Sequence, residues 1–137
     1  ELLKVTKESL YKGIAAAVDG ARVGDIGHAV QSYAESFGFG VVRELEGHGI
    51  GTQMHESPGI PNYGRQGHGP KLRNGMTICI EPMITAGSRN VYLDKNGWAV
   101  HTADHRNAAH YELTVVVRKG HAEQLSTFDF IENSVKF

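Results

Sequence analysis

The sequence predicts an α+β fold, and three observations carry that expectation. Apolar residues recur at helical spacing up to about residue 38. From residue 39 their period changes to two. An Asn-Gly pair at 96–97 then sits between two alternating runs, where a tight hairpin turn belongs. Helices first and antiparallel-looking strands afterwards, rather than alternation of the two, mark this class.

The first helix is expected in "TKESLYKGIAAAVDG", where Leu10, Ile14, Ala17, Val18 and Ala21 share one face. Thr6 offers an N-cap hydroxyl there and Gly20 a stop. The second is expected in "DIGHAVQSYAESFG", with Ile26, Ala29, Val30, Tyr33 and Phe37 as its stripe, Gly38 as its C-terminal cap and His28 off the stripe. "FGVVRELEGHGIG" reads as the first strand and "MTICIEPM" as the second. The hairpin "VYLDKNGWAV" and the strand "HYELTVVVR" follow. Between the first two strands runs "ESPGIPNYGRQGHGPKLRNG", too long and too rich in Gly and Pro for a routine connection. A structureless segment of that length in a compact domain is usually functional or disordered.

The 137 residues amount to one segment with one modest core. A net charge of -1 without a basic tract argues against nucleic acid as a main partner. No apolar run approaches a membrane span and no signal-like segment opens the chain, so no membrane partner is expected. The single cysteine, Cys79, excludes an internal disulfide and suits a reducing, cytoplasmic setting. The chain opens at Glu1 inside a helical pattern, which reads as a piece of something longer. Eight histidines and 17 glycines are the departures from ordinary composition.

Those histidines and glycines meet in "GHGIGTQMHESPGIPNYG", residues 47 to 64. Alternation puts Gly47, Gly49 and Gly51 on one strand face and His48 with Ile50 on the other. A glycine face means that something packs against bare backbone, which holds the intervening imidazole rigidly. Glu81 closes the apolar run Ile78-Cys79-Ile80 just before Pro82, and Glu112 lies in "HYELTVVV" with Thr114 and Val116 on its face. Both read as buried, where an ionised carboxylate costs several kcal/mol unless it is paired or metal-bound. One histidine and two glutamates form a nitrogen and oxygen set that suits Zn, Mn, Fe or Co. With an open position it is enough for one hydrolytic ion and too small for a well-held pair. Glutamates on an exposed strand face are the competing reading of the same residues.

"GHGIGTQMHESP", "GMTICIEPM" and "HYELTVVV", in this order and with Gly97-Trp98 in the hairpin between the last two, resemble the type I methionine aminopeptidases. The resemblance runs from "VTKESL" to Val117. Proline-specific aminopeptidases and prolidases share the histidine motifs and the Glu-Pro. Met83 after that Glu-Pro and the "YELT" context separate the methionine branch from them. The short path from Glu81 to Glu112 leaves no room for the helical insertion of the type II enzymes.

The resemblance implies the C-terminal half of a pita-bread fold, two helices packed on an antiparallel curved sheet, beside a site for two divalent ions (Co, Mn, Fe or Zn). The implied reaction is hydrolysis of the first peptide bond of nascent polypeptides, releasing the initiator methionine. His48, Glu81 and Glu112 would be metal ligands, Glu112 the bridging one. His55 would hydrogen-bond substrate near the scissile bond, and Glu81 would also handle the proton of the attacking water. Met54 and Trp98 would lie near the methionine side-chain pocket.

The family's site also needs two aspartates from its first half, in an Asp, ten residues, Asp pattern, and a first-half histidine. Asp19, Asp25, Asp94, Asp104 and Asp129 form no such pair; the first two read as helix caps. The chain alone is therefore expected to be inactive or nearly so and to hold at most one metal weakly. An exposed sheet edge points to a missing N-terminal half or to self-association. The alternatives are a pita-bread relative kept as a non-catalytic binding module, and an X-Pro aminopeptidase or prolidase-like peptidase. A structural core without any metal comes third.

Overall fold

The computed structural model describes residues 1–97 and 99–134. Trp98 therefore lies outside the described residues. Helix α1 spans Leu2–Ala16 and α2 Val23–Ser36. Thr6 is not the N-cap expected of it. It is buried inside α1, and its hydroxyl donates to the Leu2 carbonyl at 2.7 Å. The helix stops at Ala16, before the whole apolar stripe is used. The Ala17 N–H bonds back to Ile14 at 3.0 Å, and Val18 turns into an isolated bridge with Arg118.

Asp19 does not cap a helix either: its carboxylate accepts the Asn74 N–H at 2.8 Å. Asp25 does serve the start of α2, reaching back to the Arg22 N–H at 2.8 Å and across to that of Gly67. Gly38 ends α2 in the left-handed region, φ 81°, with its N–H on the Glu35 carbonyl. The two helices approach closely at Gly13, where a Cβ would stand 2.8 Å from a Val30 methyl.

Each long alternating run proves to be two short strands in different sheets. The first divides into β1 (Gly40–Val41) and β2 (Gly47–Gly49). The supposed structureless connection begins with β3 (Glu56–Ile60), which pairs with β2. β3 tolerates Ser57-Pro58-Gly59 because it is an edge strand, where a missing N–H breaks no second ladder. The next run divides into β4 (Thr77–Ile80) and β5 (Met83–Thr85). β6 (Val91–Leu93) and β7 (Val100–Thr102) form the hairpin, with Gly97 at φ 74°. The last run divides into β8 (Ala108–His110) and β9 (Leu113–Val117). β10 (Ala122–Gln124) and α3 (Asp129–Ser134), which the sequence pattern did not announce, follow.

The five-stranded sheet has the order β10-β9-β4-β2-β3, and the three-stranded sheet β1-β5-β8. Ile78, Ile80, Leu113, Val115 and Val117 pack from one face of the larger sheet onto Leu10, Ile14, Val23 and Ile26 of the helices. Alternation along β4 and β9 then sends Cys79 and Thr114 to the opposite face. Register sets His48 beside Cys79 and Cys79 beside Thr114, a single row across three strands. Among the described residues no helix is long and apolar enough to cross a membrane.

Candidate metal centre

The two glutamates lie where the chain leaves one sheet for the other. Ile80 pairs with Leu113 in the larger sheet and Met83 with His110 in the smaller. Carried inward from either side, this register sets Glu81 directly opposite Glu112. The ladder breaks there because Pro82 has no N–H to give; only the Tyr111 N–H crosses, to the Pro82 carbonyl at 3.3 Å. Directly opposed side chains in an antiparallel pair start roughly 5 Å apart at Cβ, where like charges repel. Burial, and next the Glu112 carboxylate, push Glu81 from 4.5 up to about 7, with His48 pulling the other way.

Glu112 itself is exposed, contrary to the burial expected of it, because β9 begins one residue later at Leu113. Behind the crossing, fully buried Asn62 donates its amide Nδ2 to the Glu81 carbonyl at 3.2 Å. It holds the backbone in place at the break.

His48 is positioned by the glycines around it. A Cβ on Gly47 would stand 2.1 Å from the Cys79 carbonyl oxygen, and one on Gly49 2.4 Å from that of Ser57. The bare backbone thus admits the neighbouring strands. His48 Nδ1 lies 2.9 Å from the Gly49 carbonyl, which can only accept, so Nδ1 carries the proton. Nε2 faces Glu81 Oε2 at 3.5 Å and is the ring nitrogen placed to bind an ion. The exposed His55 ring sits against this imidazole, centroids 4.1 Å apart. Met54, at 72 % exposure, is not enclosed by anything.

The structure brings His48, Glu81 and Glu112 together and adds a residue the sequence reading did not count as a donor. His48, Cys79 and Glu112 each offer one ligand atom, and these atoms lie within 4.8 Å of one another. The signal was available: Cys79 precedes Glu81 by two residues on a strand run and so shares its side. An imidazole whose Nε2 faces two carboxylates that repel when both are ionised is a donor set that a divalent cation fits.

Without such an ion, Glu81 makes the protein pH-sensitive. Its folded pKa lies above the ordinary value, so its share of stability is fully present below pH 4.5 and is lost as pH rises to about 7. We expect the melting temperature of the chelated chain, relative to Glu81→Gln, to fall over that interval. A difference that stays flat with pH in paired thermal melts refutes this.

The profile described as metallopeptidase family M24 matches residues 1–119. The chain belongs to metallopeptidase family M24. Over 117 residues this M24 chain is 56 % identical to the methionine aminopeptidase of Clostridium acetobutylicum, a match covering 85 % of this chain and 47 % of that one. The crystal structure of methionine aminopeptidase from Rickettsia prowazekii superposes with a TM-score of 0.88 at 46 % identity, over 90 % of this chain and 50 % of that. The prolidase from Pyrococcus furiosus shares the fold alone, at 24 % identity and a TM-score of 0.67 over 92 % of this chain and 32 % of that. The M24 chain spans about half the length of the curated relatives it matches. Its two helices and crossed antiparallel sheets are accordingly a pita-bread α+β architecture, with sequence identity favouring the methionine branch over the prolidases.

Proposed function

We propose that this chain is the C-terminal half of a methionine aminopeptidase, a metal-dependent peptidase that takes the initiator methionine from nascent polypeptide N-termini in the cytoplasm. The observation that supports it is the convergence of His48 Nε2 with the opposed Glu81 and Glu112 carboxylates at the crossing of the two sheets. These three would hold divalent metal, with Co, Mn, Fe and Zn all compatible with the donors. When bound, the metal would supply Lewis acidity and an activated water.

The protein's own groups do the remainder. The Nδ1–H bond to Gly49 keeps the His48 lone pair aimed at the centre. The Glu81 carboxylate, beside His48 and opposite Glu112, is placed to take the proton of the attacking water and return it to the leaving amine. His55, exposed beside His48, is free to donate to the oxygen on which charge develops, a contact worth about 3 kcal/mol. Met54 and Trp98 would contribute to a methionine pocket that needs further walls. The two aspartates missing from this sequence would come from an N-terminal half, which makes that half, or a second copy of this chain in its place, the partner.

The test is methionyl-peptide hydrolysis with Mn²⁺ or Co²⁺. The 137-residue chain alone should show little or no turnover, and adding a first-half polypeptide that carries the aspartate pair should restore it. Turnover by the chain alone comparable to that of an intact methionine aminopeptidase would refute the division of ligands. Failure of every complemented mixture would refute the activity.

A further inference from the structure

We infer that Cys79 is a fourth donor of the metal centre, so that His48, Cys79, Glu81 and Glu112 together hold one thiophilic divalent ion with no ligand from outside this chain. This deepens the metal-centre reading above and rests on it. The two-aspartate scheme leaves the chain with three ligands and a weak grip; a sulfur donor changes both the number and the preference.

Geometry makes the case. His48 and Cys79 are direct partners between β2 and β4, and Thr114 is the partner of Cys79 on the other side. The imidazole and the thiol therefore stand side by side on the face away from the helices. The glutamates lie at the next positions on the same side of their strand runs, Glu81 two residues after Cys79 and Glu112 two before Thr114.

The His48, Cys79 and Glu112 donor atoms already lie within 4.8 Å of one another. Ligands about 2.0 to 2.3 Å from a tetrahedral zinc stand roughly 3.5 Å apart, so closure of these three asks for about an ångström of movement, with Glu81 joining from its place 3.5 Å from His48 Nε2. The exposed Glu112 side chain, already beside Cys79 and Glu81, is placed to supply it. Thr114 Oγ1, 3.3 Å from the sulfur, is a hydroxyl able to donate to the thiolate once the thiol proton has passed to solvent.

The donor chemistry sets the preference. Imidazole and carboxylate alone accept Mn²⁺ readily, whereas a thiolate favours Zn²⁺, Cd²⁺ and Co²⁺. The half-chain would thus select a single soft ion, while the assembled di-metal site is served by nitrogen and oxygen ligands.

Cys79 is the one cysteine in the sequence, which makes the test unambiguous. Metal-free chain is titrated with Co²⁺ and its absorption recorded. The expected result is visible d–d absorption of a four-coordinate ion together with near-ultraviolet sulfur-to-cobalt charge transfer. Cys79→Ser should lose the charge-transfer band. It should also bind Zn²⁺ at least about 10- to 100-fold more weakly, no smaller than the loss that follows removal of an outer partner, while its Mn²⁺ affinity stays near the native value. Visible absorption without charge transfer in the native chain overturns the role of Cys79 and leaves the three-ligand centre standing. An unchanged spectrum and affinity in His48→Ala, or no Co²⁺ binding at all, overturns the centre and this inference together.

Discussion

His48→Ala is expected to abolish the thermal stabilisation that Zn²⁺ or Co²⁺ gives the native chain. A ligand present at 100 times its dissociation constant stabilises a folded protein by about 2.7 kcal/mol. In a domain of this size that amounts to roughly 10 °C in melting temperature. The substitution removes the imidazole that faces the two carboxylates and leaves them to repel each other. The helices pack on the opposite face of the sheet, and the ladder of β2 runs through backbone, so the variant should melt close to the native chain in chelator. Matched scans with chelator and with metal decide the matter. A metal-induced shift of native size in His48→Ala would mean that the ion sits elsewhere.

Gly47→Ala should be among the most damaging single-methyl additions. Its Cβ would stand 2.1 Å from the Cys79 carbonyl oxygen and 3.2 Å from the Ile60 Cβ. The first of these is backbone in the neighbouring strand, so relief requires β2 and β4 to part. Overpacking usually costs about 1–3 kcal/mol, and a clash with immovable backbone belongs at or above the upper end. Gly51→Ala is the control, because its Cβ meets only the flexible Glu56 carboxylate. It should change stability by roughly 0.5 kcal/mol or less, as ordinary surface substitutions do. Urea titration of both variants compares them directly; similar midpoints would show that the strand spacing yields to a methyl. Because Gly47 packs on the Cys79 carbonyl and immediately precedes His48, the same variant should also lose metal affinity.

Much of the architecture was legible because it rests on periodicity. The change from helical to alternating spacing marks where α2 ends, and Asn96-Gly97 marks the hairpin turn. The strand breaks were not legible in that way. "MTICIEPM" and "HYELTVVV" run on in a single register, and a missing ladder hydrogen bond leaves no trace in side-chain pattern. Only Pro82, unable to donate, hinted at the division between β4 and β5. The same blind spot produced the error at Glu112, read as buried on a strand although it lies in the gap before one.

Thr6 misled for a different reason. A threonine favours the N-cap, but its hydroxyl is equally satisfied by the carbonyl one turn earlier, and Leu2 and Val5 are apolar enough to extend α1 towards the N-terminus. In the sequence Cys79 speaks only to redox compartment and not to its place beside His48, since pairing between β2 and β4 depends on tertiary register.

The placing of both acids at the crossing of the two sheets has a mechanical consequence. Points on a fold line keep their separation when the flaps on either side swing. Flexing of the three-stranded sheet against the five-stranded one would leave the gap between the two carboxylates nearly constant. An ion held between those carboxylates would keep both ligands through such flexing.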